Sequence, residues 1–205
     1  MITALEVDQL SLDRGGRPLF EGLSFTLAAG QALTLNGPNG AGKTSLLRAI
    51  AGLLRPVAGE VRFRAGDSLL AAREARAQGL HWLGALDGLK GSRTAQAELD
   101  FWSSWNGGSL GSGSAALERM GLADQAGLAV RRLSTGQRRR LALARLLTRP
   151  RPLWLLDEPL APLDAAWRAR AGELMRSHLD EGGLIIAAVH DPLPVSAREL
   201  RLETV

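Results

Sequence analysis

The chain has 205 residues, of which 45% are hydrophobic and 22% are charged, and it contains no cysteine. These values are ordinary for one globular domain of α/β size, and the lack of cysteine excludes disulfides and thiolate metal sites. The formal net charge of +4 comes mostly from arginine, since Lys43 and Lys90 are the only lysines. Because no aromatic-interleaved basic patch accompanies that charge, we favour a GC-rich coding bias over nucleic-acid binding and expect no nucleic-acid partner.

Three strands are predicted in the N-terminal part of the chain. Thr3–Leu12 and Leu23–Leu27 alternate apolar and polar residues, which is typical of half-buried strands. Ala32–Leu35 is a third strand that runs directly into a glycine-rich segment, and good helix formers follow at 45–51. A strand, a glycine-rich loop and a helix in this order are the context of a phosphate-binding loop.

The glycine-rich segment fits the pattern G-x-x-x-x-G-K-[ST]. Because glycine has no Cβ, successive backbone N–H groups can approach a phosphate, and the following helix directs its positive end to the same point. Lys43 supplies a charge for the β- and γ-phosphates, and Thr44 supplies a hydroxyl ligand for Mg²⁺. We therefore predict a site for ATP and Mg²⁺ formed by Gly37, Pro38, Asn39, Gly40, Ala41, Gly42, Lys43 and Thr44.

The stretch from about residue 87 to 149 differs in character. Its helical patches are Ala95–Trp105 and Ala115–Met120, and the glycine- and serine-rich Asn106–Ser114 between them predicts a flexible loop. The aromatic segment Phe101–Trp105 has two interpretations of equal weight: packing in the core at helical spacing, or docking of a partner. We read this stretch as a helical insertion in a parallel-sheet ATPase core.

A second anion site is predicted at the start of a helix. Ser134 and Gln137 have the spacing of a capping box that begins a helix over 138–147. The exposed N-terminus of such a helix can bind an anion. Since the chain already has one phosphate loop, this second site suggests a γ-phosphate offered by another subunit.

Acidic residues follow a buried strand in the C-terminal part of the chain. Pro152–Asp157 is a continuous apolar run that ends in an acid, as expected of a buried parallel strand. Asp157 can hold Mg²⁺ through water, and Glu158 can polarise the attacking water. A helix over about 164–179 and a last core strand at Leu184–His190 follow, which places His190 at the sheet edge expected to carry the nucleotide.

The order and spacing of these segments resemble the ATP-binding cassette family over nearly the whole chain. The segments similar to family motifs are the Walker A loop Gly37–Thr44, the signature Leu133–Gln137, the Walker B strand Leu153–Asp157 with Glu158, the D-loop Ala161–Asp164 and the switch histidine His190. The resemblance implies an α/β fold: a P-loop NTPase core with a mostly parallel sheet, an antiparallel β region and an inserted helical subdomain. It implies one domain over 1–205, with the core at about 1–86 and 150–205 and the helical subdomain at about 87–149.

The resemblance also implies partners and roles. Two copies would face each other head to tail, and a transmembrane permease would carry the substrate path. The chain would then be peripheral, on the cytoplasmic face of the bacterial inner membrane. Glu158 would be the general base and His190 would stabilise the γ-phosphate. Mg²⁺ would be held by Thr44 and Asp157, and each ATP would also contact the second copy through Ser134, Gly136, Gln137 and Asp164.

A finer resemblance points to one subfamily. Strings similar to the ATP-binding subunits of haem exporters in cytochrome c maturation are Leu19–Phe25, His81–Gly84, Asp87–Lys90 and Gly136–Leu146. This similarity implies haem-handling proteins as further partners. It leaves open whether haem itself is moved or whether ATP drives release of a haem-loaded carrier.

The chain departs from the family pattern at three positions. Leu86 stands where a glutamine usually senses Mg²⁺ and the membrane partner, and Thr135 replaces the second glycine of the signature. No aromatic residue lies at 12–16 to stack on adenine, so we assign this contact to Arg14, whose guanidinium can stack on a ring. Two alternatives stay open: a soluble ATPase of the same superfamily that acts on ribosomes or DNA, and a regulatory subunit that binds nucleotide without hydrolysis.

Overall fold

The computed structural model describes residues 1–203. In chain order its strands are Ala4–Arg14 (β1), Arg17–Ala28 (β2), Ala32–Asn36 (β3), Ala58–Ala65 (β4), Ser68–Leu70 (β5), Leu80–Leu83 (β6), Leu153–Asp157 (β7), Leu184–Ala188 (β8) and Arg198–Arg201 (β9). Its α-helices are Lys43–Ile50 (α1), Ala72–Gly79 (α2), Ala95–Asn106 (α3), Ser112–Arg119 (α4), Thr135–Leu147 (α5) and Ala165–Asp180 (α6). Short 3₁₀ turns lie at Ala123–Gln125 and Val130–Arg132.

Five strands form a parallel sheet in the spatial order β6-β7-β8-β3-β9. Every residue of β7 and β8 is buried, which explains their continuous apolar sequences. The carboxyl ends of β3, β7 and β8 therefore meet at one edge of the sheet. The predicted mostly parallel sheet is confirmed.

The predicted last core strand, Leu184–His190, was wrong at its end. β8 stops at Ala188, and a further strand, β9, pairs in parallel with β3 at the edge of the sheet. β9 has the sequence Arg-Glu-Leu-Arg and is mostly exposed, so it lacks the apolar run that marks a buried strand. Its place depends on hydrogen bonds to residues more than 160 positions earlier, such as the register pair Leu33 and Arg198.

Four strands form an antiparallel sheet in the order β2-β1-β4-β5, as the expected antiparallel β region requires. The predicted strands Thr3–Leu12 and Leu23–Leu27 correspond to β1 and β2. β1 begins one residue later than predicted, at Ala4, and continues to Arg14. β2 begins six residues earlier, at Arg17. A bulge at Gln9, where φ is +48°, shifts the pairing register, which breaks the alternation that sequence reasoning relies on.

The helices α3, α4 and α5 lie between β6 and β7 in the chain and pack on one another. The predicted loop Asn106–Ser114 was wrong at both ends, because α3 continues to Asn106 and α4 begins at Ser112. The connection is ordered by a 2.6 Å hydrogen bond between the hydroxyls of Ser103 and Ser112. Composition alone could not show that these serines meet.

The parallel sheet separates two apolar clusters. On one face, Leu153 and Leu155 of β7 pack with α1 and the antiparallel sheet. On the other face, Trp154 and Leu156 pack with α3 to α6. Within residues 1–203, no helix has both the length and the apolar character needed to cross a bilayer.

Candidate active site

Backbone geometry shapes the loop between β3 and α1. Gly37 has a φ of +136°, and a Cβ there would lie 2.3 Å from the carbonyl oxygen of Leu202, so only glycine fits. Gly42 is the N-cap of α1 with a φ of +96° and provides no capping side chain. The first N–H groups of α1 therefore stay available to an anion, and the helix end adds a favourable dipole.

Lys43 lies at the start of α1 and is only 8% exposed. Its Nζ donates to the carbonyl oxygens of Gly37 at 2.7 Å and Pro38 at 3.1 Å. An ammonium has three N–H donors, so one remains for a phosphate oxygen. The loop and the lysine line a cleft of about 500 Å³, together with Asn39, Gly40, Gly42, Thr44, Ser45, Asp157, Glu158 and His190.

Thr44 and Asp157 meet although 113 residues separate them. The hydroxyl of Thr44 donates to Oδ2 of Asp157 at 3.0 Å, and Asp157 is 3% exposed at the end of β7. A hydroxyl and a carboxylate are hard oxygen donors of the kind that Mg²⁺ prefers. Among residues 1–203 no cluster of three or more acidic, histidine or cysteine side chains forms a complete metal cage. The pair suits Mg²⁺ whose other ligands are phosphate oxygens and waters.

Glu158 and His190 face each other at the same edge of the sheet. Oε1 of Glu158 lies 3.5 Å from Nε2 of His190, and both side chains line the cleft. The backbone N–H of Glu158 donates to the carbonyl oxygen of Ala188 at 2.9 Å, which ties the residue after β7 to the end of β8. A carboxylate so placed can accept a proton from water, while the imidazole can contact a phosphate oxygen.

Arg14 ends β1 and also lines the cleft. Sequence reasoning had assigned it to adenine, and it lies where such a contact is possible. Arg17 and Leu19 of β2 and Ala85 line the cleft too, and none of them was predicted. The β1–β2 hairpin brings Arg14, Arg17 and Leu19 to the cleft. Its two-residue loop is Gly15-Gly16, and this Gly-Gly pair is the sequence signal that could have revealed the hairpin.

The predicted second anion site lies outside the cleft. Ser134 is the N-cap of α5 and accepts a hydrogen bond from the backbone N–H of Gln137 at 3.1 Å, and the Gln137 side chain accepts one from the N–H of Ser134 at 2.8 Å. The predicted capping box is therefore present, with its helix starting at Thr135. Gly136 lies beside the carbonyl of Pro162, and Asp164 caps α6 by accepting from the N–H of Trp167. One chain does not bring these residues to its own phosphate loop.

Leu86 and Arg139 differ most from what their sequence context suggests. Leu86 occupies the position at which the family usually has a glutamine, and it is 89% exposed. Arg139 is 2% exposed, and its guanidinium donates to the main chain on both sides of the cleft edge. One signal could have found Arg139: it shares a helical face with Ala142 and Leu146, which are three and seven residues further along.

Comparisons with known proteins agree with this geometry. The sequence model of the ABC transporter family matches residues 20–161. A cytochrome c biogenesis ATP-binding export protein CcmA of Rhodopseudomonas palustris (strain BisB5) is 51% identical over 189 residues, covering 92% of both chains. The protein of the same name from Brucella abortus (strain 2308) is 47% identical, covering 92% of this chain and 86% of the relative.

Solved structures show the same fold at lower identity. A putative ABC transporter ATP-binding protein from Pyrococcus furiosus superposes with a TM-score of 0.83 at 24% identity and covers 98% of both chains. A bacterial Atm1-family ABC exporter with ATP bound also reaches a TM-score of 0.83, at 23% identity, covering 98% of this chain and 37% of the exporter.

Proposed function

Because the chain belongs to the ABC transporter family, we propose that it is the ATP-hydrolysing subunit of a membrane export complex that serves cytochrome c biogenesis. ATP hydrolysis would drive either the transport of haem or the release of a haem-loaded carrier. One observation carries the ATPase assignment: Lys43, the Thr44–Asp157 pair and the Glu158–His190 pair all converge on one cleft. The export assignment rests on relatives about half identical over 92% of the chain.

The proposed chemistry divides among these groups. Backbone N–H groups of the loop and the Lys43 ammonium bind the β- and γ-phosphates, and Thr44 and Asp157 would hold Mg²⁺, which would neutralise charge on the phosphate oxygens. Glu158 accepts the proton of the attacking water, and His190 holds the γ-phosphate in line with it. The domain division proposed from the sequence, with a helical part at about 87–149, leaves this cleft in the core.

A second copy completes the site in this proposal. The cleft of the phosphate loop is not lined by Ser134, Gly136, Gln137 or Asp164 of the same chain, and Ser134 is exposed at the N-terminus of α5. Head-to-tail pairing would place that N-terminus against the γ-phosphate bound by the other copy, as an anion site requires. ATP would then join the two copies, and hydrolysis would release them.

A groove beside α3 is the proposed docking site of the transmembrane permease. Its volume is about 470 Å³, and its lining includes Trp102, Trp105, Arg76, Arg145 and Arg151. Burial lowers the pKa of Arg145 to about 10, so this guanidinium remains charged at neutral pH. A cationic groove with aromatic walls suits a cytoplasmic segment that presents an acidic and an apolar side chain. Docking there would hold the chain at the cytoplasmic face of the inner membrane.

Two alternatives receive less support. A soluble ATPase acting on ribosomes or DNA does not fit the export names of the relatives. A subunit that binds nucleotide without hydrolysis would have no use for Glu158 and His190 placed 3.5 Å apart in the cleft.

The decisive test replaces the proposed base by its isostere. Glu158→Gln should keep ATP affinity and lower phosphate release by at least about a hundredfold, because an amide cannot accept the proton. Lys43→Ala should lose ATP binding as well, since it removes the charge on the phosphates. Undiminished hydrolysis by Glu158→Gln would show that another group is the base.

The same variant tests the second copy. With ATP and Mg²⁺, Glu158→Gln should elute from a sizing column as a dimer, because the bound γ-phosphate is not removed. Ser134→Glu in that background should keep ATP binding and remain monomeric, since it places a negative charge against the γ-phosphate. A dimer that forms equally well with Ser134→Glu would contradict the pairing.

A further inference from the structure

Arg139 is the largest fully buried side chain of the structure, at 2% exposure. Its five N–H donors all have acceptors. Nε donates to the carbonyl oxygen of Pro159 at 2.9 Å, and Nη2 donates to those of Asp157 at 2.7 Å and Glu158 at 2.6 Å. Nη1 donates to the carbonyl oxygen of Gly84 at 3.0 Å and to Oδ1 of Asp87 at 3.0 Å. One guanidinium therefore holds two segments that are about 70 residues apart in the chain.

The first segment carries the proposed base. Glu158 has a φ of +48°, a left-handed conformation that is unfavourable for a residue other than glycine. Such a conformation persists only where the surroundings determine it. Three consecutive carbonyls, of Asp157, Glu158 and Pro159, turn toward the guanidinium. The direction of the Glu158 side chain, and its 3.5 Å approach to His190, depend on this turn.

The second segment lies between the cleft and the surface. Ala85 lines the cleft, Leu86 is 89% exposed, and the carbonyl oxygen of Asp87 accepts a hydrogen bond from Arg145 at 2.9 Å. Arg145 itself lines the groove beside α3. The side chain of Leu86 has no polar group with which to contact metal or water. The contacts of Gly84 and Asp87 with Arg139 are the direct polar connection from this segment to the base.

We propose that Arg139 is a positioning residue for ATP hydrolysis, which orients Glu158 through its main chain and ties it to residues 84–87. The inference rests on the proposed function. Arg139 would be the group that connects the base Glu158 to residues 84–87, which lie between the cleft and the groove beside α3. None of the five hydrogen bonds of Arg139 goes to the phosphate loop. Arg139 affects kcat by orienting Glu158, whereas binding of the triphosphate depends on the loop.

The test is Arg139→Lys in the full chain. Lysine keeps the charge but presents three donors at one point, so it cannot bridge both segments. We expect kcat to fall by about a hundredfold, the scale of a misplaced catalytic group, while affinity for ATP without Mg²⁺ stays within about twofold. Thermal unfolding must show the variant folded at the assay temperature. A folded variant with parental kcat, or an equal loss in ATP affinity and kcat, would overturn the proposal.

Arg149→Lys is the matched control. Arg149 is half-buried and also donates to two main-chain carbonyls, those of Asn106 and Gly107, but it contacts nothing at the cleft. Its kcat should stay within about twofold of the parent, which separates loss of positioning from loss of stability. A parental chain that hydrolyses no ATP would instead refute the proposed function.

Asp87→Ala covers the case in which Arg139→Lys does not fold. It removes one acceptor of Arg139 at a half-buried position and leaves all three carbonyls around Glu158 in place. We expect kcat to fall by about tenfold, since a hydrogen bond to a charged group is lost, with ATP affinity unchanged. Parental kcat in a folded Asp87→Ala chain would refute the tie between Glu158 and residues 84–87.

Discussion

Glu158 illustrates how a single residue can depend on distant parts of the chain. Its left-handed backbone costs about 1–3 kcal/mol in general. That cost is opposed by its N–H bond to Ala188 and by the guanidinium of Arg139, which binds the three carbonyls around it. Sequence reasoning chose Glu158 because an acid followed a buried strand. It contained no sign that the residue is held in an unfavourable conformation.

Arg14 provides a prediction at the residue scale. If its guanidinium stacks on adenine, Arg14→Ala should weaken ATP binding by roughly three- to thirtyfold, the range of a cation–π contact. Binding of inorganic triphosphate should be unchanged, because no base is present. Calorimetric titration with both ligands makes the comparison. Equal losses for ATP and triphosphate would show that Arg14 contacts the phosphates instead.

The helices α1 and α5 show at the element scale how two N-termini are prepared differently. Gly42 leaves the N-terminus of α1 uncapped, close to the cleft. Ser134 and Gln137 cap α5 reciprocally, which uses two of its free donors and fixes where the helix begins. The first site is shaped by loop geometry within one chain. The second is rigid and exposed, and so suited to a phosphate held by another copy.

The exposed aromatic side of α3 provides a prediction at the same scale. Trp105 is 74% exposed and stacks on Phe101 with ring centroids 6.2 Å apart. Phe101 and Trp105 therefore do not pack in the core, which favours the docking interpretation. When the native complex is purified from membranes in mild detergent through this chain, Trp105→Ala should recover roughly thirtyfold less permease, as loss of a hot-spot aromatic does.

Leu110→Ala is the control for that experiment, because Leu110 is fully exposed between α3 and α4 and does not line the groove. Mass spectrometry of the parental complex should identify a multi-span membrane protein with cytochrome c maturation components. Equal recovery from the Trp105→Ala and Leu110→Ala chains would place the docking site elsewhere. Recovery of ribosomal or DNA-repair proteins alone would refute the export role.

At the scale of the whole molecule, the buried His81 links stability to pH. His81 lies in β6, and its Nε2 donates to the carbonyl oxygen of Arg149 at 2.8 Å, a contact that the neutral and the protonated ring can both make and that by itself raises the pKa. Burial, with smaller contributions from the charges of Arg151 and Arg145, lowers its pKa to about 4. The pKa of His178 is lowered by burial as well.

The free energy of unfolding should therefore decrease as pH falls below the ordinary pKa of histidine, about 6.5. Between about pH 6.5 and 4 the unfolded chain binds a proton at His81 that the folded chain does not, so unfolding free energy falls by up to about 1.4 kcal/mol per pH unit, about 3 kcal/mol in all. Urea unfolding at several pH values measures the slope. His81→Gln can keep the hydrogen bond without titrating, and its slope should be smaller. An unchanged slope would show that His81 is not the group responsible.

Local sequence determined the phosphate loop, the acidic end of β7 and the capping box of α5. Glycine placement, a buried apolar run and a side chain three residues from its backbone partner are properties of neighbouring residues, so a pattern can reveal them. The strands β4, β5, β6 and β9 and the helix α2 were not predicted. β5, β6 and β9 have only three or four residues, too few to show a period. α2 consists mostly of good helix formers, and β4 alternates apolar and charged residues, so both contained a local signal that sequence reasoning did not use.

Only the tertiary structure decided which distant residues meet. The contact of Thr44 with Asp157, the five hydrogen bonds of Arg139, the entry of Arg17 into the cleft and the exposure of Leu86 and Trp105 all depend on how the parallel sheet and its helices pack. Pairing across 50 to 170 residues follows from burial of apolar surface and completion of backbone hydrogen bonds throughout the domain, and no local pattern contains that information.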